Sequence, residues 1–453
     1  MKSITHTISL ALFCAVIPVS GAPILTSLHG FSGGINDGAL PSADMILGRD
    51  GNFYGTTEGN GISGDQVIFR ASPAGVITVL HTFGSITNSS GQPLDGDFVE
   101  GGLVQGSDGT LYGTASGGGP TDSGTIFSIT TNGAFTLLYT FSGPDGDTPE
   151  GNLVFGKDGS LYGTTIFGGA TDDGTIFQIT TNGNFTSLVS LDSTDGSPNG
   201  SLVQGADGNL YGTAFGNTGL GTVFQVSTNG AFTVLYPFTG LADGGDPLAG
   251  LTFGTDGFLY GTTTSGGTFD TGTVFKIDTS GNLTTLAQFD GTNGSLCEAP
   301  LTLGKDGNFY GTATAGGTNE NGTLFQVTPA GVLTTLWLFN GANDGSNPDD
   351  ALISSGNGIF YGLAENAGSG NNGTFFRLDL TPYLQPISRT GSTLNLSWAS
   401  VPGLKYLLQY RTNLNVGSWL NLGGTNVATN SIMQATDTVG PDARRFYRAA
   451  LLP

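Results

Sequence analysis

Leu153-Val154-Phe155, then Lys157-Asp158-Gly159-Ser160, then Leu161-Tyr162-Gly163-Thr164-Thr165 decide the fold of this chain. A short apolar run, a tight turn and a second β-rich run read as two strands of a hairpin. Asp-Gly between such runs is a strong hairpin signal because both residues tolerate positive φ. Gly168 to Asp173 is a Gly-rich loop, Gly174 to Thr180 a third strand, Thr181-Asn182-Gly183 a second turn, and Phe185 to Leu191 a fourth strand. These four strands are named a to d.

The pattern recurs. Tyr-Gly stands at Tyr54, Tyr112, Tyr162, Tyr211, Tyr260, Tyr310 and Tyr361, with spacings of 58, 50, 49, 49, 50 and 51. Asp-Gly turns return at Asp50, Asp108, Asp207, Asp256 and Asp306, and Asn357-Gly358 replaces them in the last copy. A period near fifty places the chain among propeller-like repeats, in which one unit is one four-stranded blade. Each repeated Tyr is expected to pack between adjacent blades rather than to form a sugar-stacking belt.

The ends of the array carry a further inference. The last copy has strands a to c, ending at Thr374 to Leu378, and then meets Thr381-Pro382 with no strand d. Leu25-Thr26-Ser27-Leu28-His29-Gly30-Phe31 matches Leu283-Thr284-Thr285-Leu286-Ala287-Gln288-Phe289 at Leu, Thr, Leu and Phe. The N-terminal strand therefore completes the last blade and leaves no open edge at the seam. The expected fold is all-β: a seven-bladed β-propeller over residues 23–380, closed by the N-terminal strand, followed by a small β-sandwich over 381–453. In that second segment Thr393 to Trp398 alternates cleanly, and Trp419, Phe446 and Tyr447 supply core aromatics. It resembles a fibronectin type III module, though it is short for one.

Composition agrees with many short strands and frequent turns. Gly contributes 78 of 453 residues and aromatics 10%. Asp and Glu number 35 against 13 Lys and Arg, a net charge of −22, so nucleic acid is not expected as a partner and adhesion to an anionic membrane is disfavoured. Residues 1–22 read as a secretory signal: Lys2, an apolar run from Ile8 to Val19 too short to span a bilayer, then Ser20, Gly21 and Ala22. Pro23 disfavours cleavage directly after Ala22, so a cut after Gly21 is an alternative. With Cys14 in that segment, Cys297 stands alone and no disulfide framework is expected. No transmembrane segment or anchor helix is expected, and the location is secreted, extracellular or cell-surface.

The combination Asp-Gly-x-Leu/Phe-Tyr-Gly-Thr, Gly-Gly and Gly-Thr-x-Phe resembles the GloVer (Gloeo_Verruco) tandem-repeat family over about residues 25–380. The resemblance implies bacterial extracellular or surface proteins and no particular chemistry. Members often carry C-terminal anchoring segments, whereas this chain ends in Arg445-Phe446-Tyr447-Arg448 and a short tail.

Candidate site residues are the acidic positions of the d–a loops: Asp37, Asp95, Asp97, Asp145, Asp147, Asp195, Asp243, Asp246 and Asp344. Two readings stand side by side. A ring of such carboxylates could hold Ca²⁺, which favours oxygen ligands, and assist binding of an extracellular protein or glycan. Alternatively Asp-Gly followed by Pro is turn chemistry, which is the preferred reading. No catalytic residue is assigned. His29 and His81 lie on predicted d strands with no partner Ser, no His/Cys metal cluster exists, and no phosphate-cradling Gly-Lys-Ser/Thr occurs. The leading expectation is a monomeric secreted binding or scaffold protein with no certain cofactor. A polysaccharide hydrolase or lyase using the face Asp residues and a purely structural exterior protein are the alternatives.

Overall fold

The Asp-Gly turns do what their chemistry dictates, as the third repeat shows. Val154–Phe155 and Leu161–Thr165 form a hairpin in which the Gly159 N–H reaches the Gly156 carbonyl at 3.0 Å, with φ of +81° at Gly159. Thr175–Ile179 and Phe185–Ser190 complete an antiparallel sheet of order a-b-c-d. The computed structural model describes residues 23–453 apart from 60–65, 217–219, 357, 383, 385–386, 413–417, 431, 440–444 and 453. The expected signal segment, Cys14, Asn357 and Arg444 lie outside the described residues.

The chain is all-β, and no described residue is helical. The same four-stranded antiparallel sheet recurs seven times between Ile24 and Asp379. In the seventh, Ile353–Gly356, Ile359–Ala364 and Thr374–Asp379 supply three strands and Ile24–Gly30 the outer one, with Ile24 opposite Asp379 and Gly30 opposite Thr374. A register shift between strands c and d falls at the same place in all seven sheets, as between Ile176 and Phe177. A bulge there increases local twist.

The Tyr-Gly pair has a steric reason. Phe177 on strand c lies opposite Gly163, and a Cβ on Gly163 would stand 2.5 Å from its ring and 2.8 Å from Leu153. Glycine lets the strand-c ring lie flat across strand b. The neighbouring Tyr162 is fully buried and packs with Leu202, Leu210 and Phe224 of the next repeat. Its hydroxyl donates to Asp158 of its own a–b turn at 2.8 Å, and Tyr54, Tyr211, Tyr260 and Tyr310 repeat that bond. Burying so large a side chain contributes about 1.5–3 kcal/mol, and the bond keeps the buried phenol satisfied.

Seven such clusters join each sheet to its successor. The last of them sets Tyr361 and Phe375 of the seventh sheet against Phe53 and Phe69 of the first, with the Phe53 and Tyr361 rings 4.5 Å apart.

Beyond Asp379 the strands form two further antiparallel sheets. Ser388–Thr390, Thr393–Ala399 and Ile432–Thr438 make one. Lys405–Arg411 pairs with Leu420–Asn421, Asn426–Val427 and Phe446–Leu451 in the other. Leu396, Trp398, Tyr406 and Leu408 fill the space between them, and the same apolar cluster runs on through Leu380 to Tyr310 and Phe360.

Candidate functional site

The d–a loop carboxylates close their own loops. In every repeat the N–H directly after the last apolar residue of strand d donates to one side chain of the loop. The donors Ser32, Gly84, Ser142, Asp192, Thr239 and Asn340 meet Asp37, Asp95, Asp145, Asp195, Asp243 and Asp344 at 2.8–3.3 Å. In the sixth repeat Asn293 takes the place of Asp and accepts from Asp290 at 3.0 Å. Strand d adds a second partner where it carries a polar ring. His29 and His81 stand 3.1 and 3.0 Å from Asp37 and Asp95, and Tyr236 and Trp337 donate to Asp243 and Asp344 at 3.1 Å. Tyr139 donates to Asp145 in the same way. Val189 and Ala287 occupy that position in the two repeats without such a ring.

These bonds set the charge state. Burial raises the Asp95 carboxyl, but hydrogen bonds from His81 and Ser85 outweigh it and hold the group below the ordinary range. Asp145 and Asp243 are held low likewise, whereas burial lifts Asp195. The other three candidates also bond locally. Phe98 N–H and Thr148 hydroxyl donate to Asp97 and Asp147, and Ser265 hydroxyl donates to Asp246. None of the nine lines the cavity that all seven repeats share, and no three His, Cys, Asp or Glu among the described residues are grouped to hold a metal ion.

A different acidic set surrounds that cavity. It has a volume of about 280 Å³ and is lined by residues from all seven repeats, at the points where the chain enters strand a. Asp44, Glu100, Glu150, Glu298, Asp349 and Asp350 face it from those points, and Glu58 from the first b–c loop. Repeats four and five contribute Asn199, Ser201 and Leu248 instead, so the negative charge forms an arc rather than a full ring. No Lys, Arg or His is among the lining residues.

Hydrogen bonds tie the wall together. Asp44 accepts from Asn152 Nδ2 and from Ala351 N, each at 2.6 Å, linking the first repeat to the third and seventh. Asn152 in turn accepts from Gly102 N, and its own N–H donates to Ser201 Oγ at 3.2 Å. Asp350 is 2% exposed and its Oδ2 has no hydrogen-bond partner, nor has Oδ1 of Asp349. A buried oxygen left unpaired costs about 1–3 kcal/mol, more for a charge.

The carboxyls respond to this crowding. Burial first, then Asp349 and Asp44 beside it, push Asp350 well above the ordinary range. Burial with Glu365 and Glu298 does the same to Asp349. Burial and then Glu100 raise both Glu150 and Glu58, the latter to about 7. Burial and Glu298 raise Glu365, the counterpart of Glu58 in the last repeat. The cavity is a store of negative charge that takes up protons when nothing else neutralises it. Cys297 is no part of it: the thiol is fully buried in the apolar cluster of repeats five and six, and burial raises its pKa, which makes it inert.

The sequence reading singled out other positions of the same loops, and a signal for the cavity position was available. The residue after Pro41, Val99, Pro149, Pro198, Pro247, Cys297 and Pro348 is Ser, Glu, Glu, Asn, Leu, Glu and Asp. Its polarity varies while its setting does not.

Fold and site together define a tandem-repeat all-β protein, an array of four-stranded antiparallel sheets with an acidic cavity lined by every repeat. The chain belongs to the Gloeobacter/Verrucomicrobia repeat family, whose model matches residues 90–253 and 216–388. No curated protein matches the sequence. Among solved structures, a gluconolactonase from Xanthomonas campestris aligns at 12% identity over 79% of this chain and 89% of its own, with a TM-score of 0.40. The PQQ-bound aldose sugar dehydrogenase of Streptomyces coelicolor aligns at 14% over 80% and 99%, TM-score 0.42. A puromycin hydrolase aligns at 12% over 84% and 62%, TM-score 0.46. Likeness at this level says nothing about what this chain binds.

Proposed function

We propose that this chain is a secreted or cell-surface binding protein, a closed seven-bladed β-propeller with a terminal fibronectin type III-like module, whose acidic cavity captures a cation. The observation that carries this reading is the cavity itself: seven carboxylates in its lining and no positive side chain to balance them. Such an arrangement raises the local concentration of positive ligands. Packing of the seventh sheet on the first supports ring closure. The signal-like segment 1–22 supports export. Among the described residues no helix is long and apolar enough to cross a membrane.

A ligand that binds only the folded state raises its apparent stability. Purified protein lacking residues 1–22 should melt several degrees higher with at least one of CaCl₂, MgCl₂, spermidine or arginine amide at constant ionic strength. If none of the four shifts the melt at millimolar concentration, the cation-binding reading fails.

A further inference from the structure

We infer that the natural occupant of the cavity is a small organic polycation, a linear polyamine carrying two or more ammonium groups, rather than a bare divalent metal ion. This rests on the cation-binding reading above and narrows it.

The first ground is spacing. Ca²⁺ demands six to eight oxygens at about 2.3–2.6 Å from one point. The carboxylates here are distributed along an arc from the sixth repeat through the first to the third, and no three acidic groups among the described residues converge in that way. Separate ammonium groups suit separated carboxylates, because each N–H bonds one oxygen at about 2.7–2.9 Å.

The second ground is room. A volume of about 280 Å³ equals the liquid share of about nine waters, which accommodates a molecule of roughly that many heavy atoms. The third is the wall opposite the arc. Leu248 offers an apolar contact for a methylene chain, and Asn199 and Ser201 offer neutral hydrogen-bonding groups. A metal ion has no use for the leucine.

The fourth ground separates this cavity from an ordinary acidic surface. Asp350 is 2% exposed, faces the cavity, and has an oxygen with no partner. Asp44, by contrast, has both oxygens engaged by Asn152 and Ala351. Asp44 therefore braces the wall, while Oδ2 of Asp350 receives no donor from the protein. Raised carboxyl pKa values in the cavity add a consequence: ammonium groups displace protons on entering.

The experiment is calorimetric titration of the protein lacking residues 1–22 with spermidine and, separately, with CaCl₂, in two buffers of differing ionisation enthalpy. Spermidine should bind 1:1 with proton release, and Asp350→Asn and Glu150→Gln should each weaken it at least tenfold. Asp192→Asn, an exposed loop acid, should change affinity less than twofold. Both cavity substitutions are close in shape to the native side chains, and a melt checks that each variant is folded. Ca²⁺ binding 1:1 that spermidine cannot displace would overturn the inference and leave the cation site standing. Binding of several spermidines per chain, indifferent to Asp350→Asn, would reduce it to surface charge and overturn it too. No binding of either cation would remove both readings. An arm with a short peptide carrying one arginine separates the sources: tighter binding than spermidine would make the occupant a partner's side chain and overturn the polyamine assignment.

Discussion

Asp95 and Asp350 carry the same functional group and sit in opposed circumstances. Asp95 is 1% exposed and accepts from His81, Gly84 N and Ser85 Oγ. Asp350 is nearly as buried and has an oxygen that accepts from nothing. Hydrogen bonds to a charged group are each worth about 1.5–3 kcal/mol, and donors stranded by removing the acceptor add to the loss. Asp95→Ala should therefore lower stability by about 2–4 kcal/mol, read by urea unfolding near neutral pH. A loss under about 0.5 kcal/mol, the usual size for a surface site, would mean the loop closes without its latch. This contrast also shows what could be read from the residues alone. The latch Asp recurs in six repeats, with Asn293 in the remaining one, because every loop needs the same acceptor. Recurrence made these residues conspicuous in the sequence, and recurrence is a mark of architecture. The cavity position changes from Ser42 to Glu100 to Asn199 to Leu248, so no repeating motif announces it. Only placing the seven loop ends around one void brings Glu58 and Asp350 together.

At the scale of the element, the outer strand of the seventh sheet comes from the opposite end of the chain. Local signals suffice for strands a to c, because Asp-Gly turns, the Tyr-Gly pair and β-branched runs all act within fifteen residues. The place of Ile24–Gly30 is legible only by comparison with another repeat, since its partner Thr374–Asp379 lies about 350 residues away in sequence. The burial of Leu28 and Phe31 against the first and last sheets shows why the pairing matters. Removing residues 23–33 strips those apolar contacts and exposes the unpaired edge of Thr374–Asp379, which invites association with other chains. The shortened protein should melt roughly 10 °C lower and elute as a concentration-dependent oligomer. A synthetic peptide of residues 23–33 should restore much of the loss by adding back the strand. An unchanged melt and a monomeric elution would show that the strand is ornamental to the seventh sheet. The terminal segment is harder to read than the repeats for a related reason: its strands do not repeat, so each must be placed from its own alternation alone.

For the whole molecule, two populations of carboxylates make stability depend on pH in opposite directions. Asp95, Asp145 and Asp243 have folded pKa values below the ordinary range. Their contribution is present above the unfolded pKa and is lost as pH falls through the folded one. Glu58, Glu150, Asp349, Asp350 and Glu365 have folded values above it. These groups cost stability when ionised, and the cost is relieved as pH falls through their raised values towards the ordinary carboxylate range. Glu58, raised to about 7, places part of that relief close to neutrality. The melting temperature should therefore rise as pH is lowered from about 8.5 to about 5.5 and fall again below about 4. Replacing Glu58, Glu150, Asp349 and Asp350 by their amides should flatten the alkaline limb and leave the acid limb in place, because the loop latches are untouched. Saturation with a cation that fills the cavity should flatten the same limb in the unsubstituted protein, since the ligand supplies the positive charge that protons otherwise bring. A wild-type melting temperature that is level between pH 5.5 and 8.5 would mean that the cavity carboxylates are hydrated well enough to ionise freely, and that the folded state stores no electrostatic cost for a ligand to relieve.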